Sequence, residues 1–487
     1  MNRLARLMAL TLALLCLFTI GAGAEIARLL PARLRLFQIP AISGTSHVAT
    51  VKTLRSVTDP NSDADTTRPP TVAAVTADLS AVIGTGRLGQ QVGALVVDYS
   101  TGHVLYALNP DSGFTPASTT KVATAVAAIN TLGPGARFTT EVKLAPDGHN
   151  LVLVGGGDPT LSAGRYPASF YPRPASLVAL AAQTARALRA KGISSVRLTY
   201  DNTLFTGPVQ GLGWPQFGSP DNYISSGNVA PITGLEVDQG RLTSAGLPQD
   251  ADVSSNPLSR SMRPGRDAAM AFARFLGKDG ITVGNSPVQM RPGNAGPGSI
   301  IAAVRSVTLS EMVQWMLQES NNVIAETLAR QVAVATGRPA TFTGAAQAVM
   351  AVDATLGVPG IHLYDGSGLS PLDLITPRAL VKLVELATGQ RLPKLRSVIT
   401  GLPVAGFSGT LGPGSFFGPF GHAALGTVRA KTGNLTGVAT MAGLAYARDG
   451  ALLAFAFMGN GIGKKLGLQP ESTLSELATI LAGCGCR

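Results

Sequence analysis

Cysteine is scarce in this chain, three in 487 residues, and its placement excludes a disulfide scaffold. Cys16 lies in an apolar amino-terminal run, while Cys484 and Cys486 stand two apart at the carboxyl end. A ring so small would be strained, and a frayed tail is expected there. The five histidines, His47, His103, His149, His362 and His422, never pair at ligand spacing with one another or with cysteine. That excludes a zinc site of the usual pattern, and neither metal nor other cofactor is expected. Charge is also thin, at 14% of residues. Lys and Arg outnumber Asp and Glu by 39 to 28, yet no basic run occurs and no aromatics are interleaved with it. Nucleic acid is therefore excluded as the expected partner. The excess suits a long-range attraction to an anionic lipid surface or polymer, hence peripheral membrane association.

Apolar residues are plentiful, at 45%, enough to fill the cores of two or three domains. Residues 1–24 read as an export signal or retained anchor: Arg3 and Arg6, an apolar stretch over 7–20, then Ala22-Gly23-Ala24 before Glu25. An exported, extracytoplasmic protein is expected. Residues 25–71, ending near Thr67-Arg68-Pro69-Pro70, read as a linker. Gly84-Thr85-Gly86-Arg87-Leu88-Gly89 has the letters of a dinucleotide-binding loop. It follows a helical pattern and precedes a strand, the reverse of what phosphate binding needs, so it reads as a turn.

Periodicity predicts a helix over 73–83, strands over 91–98 and 104–108, and an apolar helix opening at Ser118 and running to 132. Residues 139–265 are strand- and turn-rich, with strands expected over 141–144, 151–154, 195–200 and 235–237 and a helix over 176–191. This texture suggests an insert between a first part, 72–138, and a second part, 266–487. The second part should hold helices over 306–335 and 376–388, a strand over 428–432, a hairpin of 436–447 with 452–458, and a last helix over 471–481.

Ser118 and Lys121 are three apart on the expected helix and so share a face. A serine hydroxyl needs a partner to take its proton, and a lysine in a dry pocket can lose its own proton and do so. Lys121 is the only lysine with serine three residues before it, and Lys431-Thr432-Gly433 is the only such triplet. Ser320-Asn321-Asn322 interrupts an otherwise apolar helical region. Three motifs in this order are those of penicillin-binding proteins and serine β-lactamases.

The chain resembles the D-Ala-D-Ala carboxypeptidases of the low-molecular-mass, class C penicillin-binding proteins. The likeness runs over about residues 72 to 482. It includes residues 155–161 and 201–205, Gly213-Trp214-Pro215, residues 365–370 and residues 406–411. It implies an α/β (α+β), serine β-lactamase/transpeptidase-like domain with one inserted strand-rich domain, and a serine D,D-carboxypeptidase, or also endopeptidase, acting on peptidoglycan stem peptides. β-Lactams would be covalent inhibitors. Ser118 would be the nucleophile, Lys121 its base, Ser320 a proton relay and Asn322 the group orienting Lys121 and substrate. Lys431 would help keep Lys121 neutral and, with Thr432, hold the substrate carboxylate. Gly433 would leave room for the substrate at the strand edge, and the N–H groups of Ser118 and Asn434 would stabilise the oxyanion. Trp214, Asp221 and Tyr223 could shape a stem-peptide pocket. Where the family has Gly-Leu-Ser-Arg-x-Asn, this chain has Pro371-Leu372-Asp373, which opens the third-residue preference to question. A β-lactamase or esterase on the same fold, or an inactive wall-binding protein, is the alternative; the glutamate-asparagine loop of a class A β-lactamase is not found in the sequence.

Overall fold

The structure is a computed structural model that describes residues 71–164, 171–242, 259–284, 296–415, 417–463 and 469–484. The expected export segment, nearly all of the linker, and Cys486 lie outside them. Among the described residues no helix is long and apolar enough to cross a membrane.

Helix α1 (Val72–Ile83) starts at Thr71, whose hydroxyl accepts from the Ala74 N–H, and buries Val75, Leu79 and Val82. The glycine-rich segment at 84–89 ends this helix and leads into β1 (Gln91–Asp98), the order expected of a plain turn. β2 (Val104–Leu108) follows a turn in which Asp98 accepts from the Ser100 and Thr101 amides. A 3-10 turn (Ala117–Thr119) then opens α2 (Thr120–Leu132). The chain next builds β3 (Thr139–Leu144), β4 (Asn150–Val154), α3 (Leu177–Arg189), β5 (Ser195–Asp201), α4 (Pro264–Lys278), β6 (Thr282–Val283) and β7 (Ser299–Arg305). After these come α5 (Leu309–Gln318), α6 (Asn322–Ala335), α7 (Phe342–Thr355), β8 (Ile361–His362), β9 (Leu374–Ile375), α8 (Pro377–Thr388) and α9 (Arg396–Gly401). The hairpins of β10 (Val428–Leu435), β11 (Val438–Tyr446) and β12 (Leu452–Asn460), then α10 (Pro470–Gly483), complete the fold.

The first sheet has the order β10-β11-β12-β1-β2, antiparallel throughout. Helices cover both its faces, so β11 and β12 are apolar along nearly their whole length instead of alternating. On one face Leu95, Ala442 and Met458 pack with Val126, Leu328 and Leu380 of α2, α6 and α8. On the other, Val96, Met441 and Phe457 meet Leu79 of α1 and Leu477 of α10. Each such fully buried side chain larger than alanine contributes about 1.5–3 kcal/mol of transfer free energy. The arrangement leaves β10 as the edge strand, lying beside the turn that carries Ser118.

The second sheet has the order β6-β5-β4-β3-β7, with a core of Leu151, Leu153 and Leu198 against Leu180 and Leu188 of α3 and Phe272 and Leu276 of α4. It therefore runs past residue 265, where composition placed the end of the insert. Helical periodicity in α4 says that one face is buried, but not against which sheet. β7 returns to pair with β3 in antiparallel register, Thr139 opposite Arg305. Residues 235–237 join no ladder of either sheet. The single helix expected over 306–335 is two, parted at Glu319-Ser320-Asn321, where Ser320 takes a left-handed φ of 54°. Of the tail expected to fray, Cys484 is buried against Leu481 and its neighbours and is disulfide-bonded, and the remaining positions lie outside the described residues.

Candidate active site

Ser118 sits in the 3-10 turn at the head of α2, preceded by Ala117 with φ of 47°. This unfavourable backbone is held from several sides. Pro116 O accepts from the Thr119 and Thr440 hydroxyls at 2.6 and 2.7 Å. Gly368, with φ of 81°, lies so close to the Ala117 carbonyl that no side chain fits between them. Ser118 is half-buried, while the helix behind it is buried on every side through Ile129.

Lys121 is fully buried, and its amine has three oxygen partners. Nζ lies 2.8 Å from Ser118 Oγ, 2.8 Å from Asn322 Oδ1 and 2.7 Å from Ser367 O. The amide and peptide oxygens can only accept. A neutral Lys121 therefore spends its two N–H groups on Asn322 and Ser367, and its lone pair is left facing the Ser118 hydroxyl. That is the geometry a general base requires.

Ser367 belongs to the turn cluster at 365–370, which lines the site. Asp365 ties it down: Oδ1 accepts from the Ser367 and Gly368 amides, and Oδ2 from the Ser370 amide and Trp214 Nε1. Glu326, four residues after Asn322 on α6, accepts from the Gly366 and Ser367 amides at 3.0 and 2.8 Å and faces Arg330 at 3.4 Å. The Arg330 guanidinium stacks on Phe342, 4.1 Å from the ring centre. Trp214 is buried edge-on to Phe342 and Tyr223, and its indole N–H braces Asp365. Asp221 is exposed.

On the other side of Ser118 runs β10. Lys431 is fully buried and donates to Thr432 O at 2.8 Å. Thr432 Oγ1 lies 2.8 Å from Thr410 Oγ1, which brings the 408–410 turn to the site. A Cβ on Gly433 would lie 2.6 Å from Pro116 O and 2.9 Å from Ser118 N. Glycine here permits the close approach of strand to nucleophile. The Asn434 side chain turns away to Glu471 Oε1. Its backbone faces the open edge: Ala430 N–H donates away from the sheet to Pro403 O, and alternation puts the Thr432 and Asn434 N–H groups on that same side. Ser320 lies at the break before α6, two residues from Asn322.

Burial sets the electrostatics. It brings the Lys121 amine down to about 7, against the opposing pull of Asp365, Glu326 and Asp373. Lys431 is itself pushed well below the ordinary lysine range, first by burial and then by Lys121. Desolvation is thus the first cause of the Lys121 shift, and the repulsion between the two amines, expected to help keep Lys121 neutral, is felt at Lys431. Burial, then Asp365, also raises Glu326 to about 7, with Arg330 and the two amides opposing.

The motifs bring Lys121 into direct contact with both Ser118 and Asn322, and Gly433 against Ser118. Ser367 O, Glu326 and Arg330 were missed. A backbone carbonyl has no residue signature, but a Glu and an Arg four apart in an apolar helix were a signal for a buried pair.

The sequence pattern of the family described as D-Ala-D-Ala carboxypeptidase 3 (S13) matches residues 75–252 and 243–481. The chain is 36% identical over 421 residues to carboxypeptidase DacB of Mycolicibacterium smegmatis, covering 86% of this chain and 85% of that one. It is 30% identical over 453 residues to a D-alanyl-D-alanine carboxypeptidase of Actinomadura sp., covering 79% and 80%. The structure of penicillin binding protein 4 from Haemophilus influenzae superposes with a TM-score of 0.63 at 24% identity, over 83% of this chain and 98% of that one. That likeness is one of fold.

Proposed function

The chain belongs to the D-Ala-D-Ala carboxypeptidase 3 (S13) family, and from that premise we propose that it is a serine D,D-carboxypeptidase. In this reading it removes the terminal D-Ala of peptidoglycan stem peptides through an acyl-enzyme on Ser118, and binds β-lactams at the same serine. It would do so outside the cytoplasm after export by residues 1–24; the mass of the secreted protein reads whether that segment is removed.

The observation that carries the mechanism is the set of three partners of Lys121. Lys121 Nζ takes the Ser118 proton as Oγ attacks the carbonyl carbon of the penultimate D-Ala. The oxyanion then lies between the N–H groups of Ser118 and Asn434, both fixed before reaction. Ser320, whose hydroxyl has no hydrogen bond among the described residues, relays the proton held by Lys121 to the departing D-Ala amine, which leaves Lys121 neutral again. Water then hydrolyses the ester. The substrate's terminal carboxylate is met by the Thr432 and Thr410 hydroxyls and by Lys431, whose buried amine gains the counter-charge it lacks.

The rate of acylation should follow the neutral fraction of Lys121. It rises about tenfold per pH unit well below 7 and levels off above it. A pH–rate profile with labelled penicillin checks this, and an inflexion near the ordinary lysine value would remove Lys121 as the base.

The third residue of the stem peptide should be read weakly. Pro371 offers no donor to a carboxylate there. Arg378 is committed to Asp111 by two bonds of 2.6 and 2.9 Å. Asp373 is fully buried and accepts from the Tyr364 amide, so it presents no charge at the surface. Paired peptides with the third side chain free or amidated should differ little in kcat/KM, or favour the amide. A preference above about tenfold for the free carboxylate, worth about 1.4 kcal/mol, would show that another cation serves.

A further inference from the structure

The lone pair of Lys121 faces Ser118 only while Asn322 presents its oxygen. The reverse amide orientation would offer Lys121 an N–H, which would compete with the Ser118 hydroxyl for that lone pair. The orientation is set from the insert. Asn322 Nδ2 donates to Asn228 O at 3.0 Å, so the oxygen is the atom left for Lys121. Asn321, one residue earlier, caps α6 through Oδ1 on the Ile324 N–H, and its Nδ2 donates to Gln239 Oε1 at 2.7 Å.

Arg260 joins these two supports. Its Nε donates to Gly227 O at 2.9 Å, beside Asn228, and its Nη1 to Gln239 O at 2.7 Å. The backbone at Gln239 is unusual: Asp238, Gln239 and Gly240 take φ of 50°, 56° and 69° in succession. Two of them carry side chains, so the turn must be held in place. The Leu161 carbonyl and the Ala163 amide hold Asp238, and the Ser261 N–H holds Gly240 O. The result places the Gln239 side chain, 1% exposed, under Asn321.

We propose that Gln239, tied to the 227–228 turn by Arg260, is a positioning residue: it holds the Ser320–Asn322 segment so that Asn322 keeps its oxygen on Lys121. The insert is thereby part of the catalytic machinery and not only an appendage.

The proposal rests on Lys121 acting as base for Ser118, and labelled penicillin tests it in the full chain. Gln239→Met keeps the bulk and removes the acceptor, and should lower the acylation rate about tenfold, as loss of alignment does. Gln239→Glu keeps the acceptor for Asn321 and gives up only Nε2, which has no hydrogen bond among the described residues. It should restore the rate to about that of the wild type, a rescue that a general loss of packing would not give. Should Gln239→Met be recovered unfolded, Arg260→Lys, which lacks the fork needed for both carbonyls, carries the same expectation. A loss of less than about threefold in the first variant, or a Gln239→Glu protein as slow as it, would overturn the proposal. A wild type that penicillin does not label would instead overturn the reading of the site itself.

Discussion

Replacing Lys121 by alanine should lower acylation of Ser118 by about 10² to 10⁴-fold, the range for a positioned proton acceptor. Among the described residues no base other than Lys121 is hydrogen-bonded to Ser118 Oγ. Lys431 is the other buried amine, and its Nζ is turned to Thr432 O. The variant should fold, though less stably, because Asn322 Oδ1 and Ser367 O lose a donor in a buried site, at about 1–3 kcal/mol for each acceptor left unpaired. Lys121→Met fills more of the space and separates packing from proton transfer. Rates of labelling by a fluorescent penicillin, with thermal unfolding as the control, check both. Lys121→Ala protein that acylates at the wild-type rate would remove Lys121 from the mechanism.

Gly433→Ala should be nearly as damaging, although it removes no functional group. The added methyl would meet Thr440 Oγ1, Pro116 O and Ser118 N together. Thr440 cannot easily yield, since its hydroxyl holds Pro116 O. The strand and the nucleophile's turn must therefore part, which widens the space between the Ser118 and Asn434 N–H groups. A displacement near 1 Å in such a site costs on the order of 10²-fold in rate, and overpacking about 1–3 kcal/mol in stability. Acylation kinetics and Tm read the two effects. A rate within about threefold of wild type would show that the close approach has no catalytic use.

The Gly433 result illustrates what could be read from the chain and what could not. The Lys431-Thr432-Gly433 triplet was legible as a site, because rare residue types stood in a known order. The reason for the glycine was not, because it depends on Pro116 and Ser118 arriving from a distant part of the sequence. Local periodicity likewise placed α2, β1, β10 and α8 to within a few residues. It failed at 319–321, where a single left-handed serine divides what looks like one apolar helix. It also failed at 265, since amphipathic α4 has a buried face whichever sheet it covers. Trp214 read as an aromatic for substrate contact, yet its indole N–H is bound to Asp365, and such a pairing across 151 positions leaves no local trace. The supports from Asn228, Gln239 and Arg260 were invisible for the same reason: Asn228 acts through its backbone carbonyl, and Arg260 binds the carbonyls of Gly227 and Gln239.

The central claim is that Ser118 is the nucleophile, and intact-mass measurement after exposure to a labelled penicillin tests it most directly. The wild type should gain the mass of one penicillin, carried by the peptide containing Ser118, and Ser118→Ala should gain none. A Ser118→Ala protein that still takes up the label, or a wild type labelled elsewhere or not at all, would contradict the account.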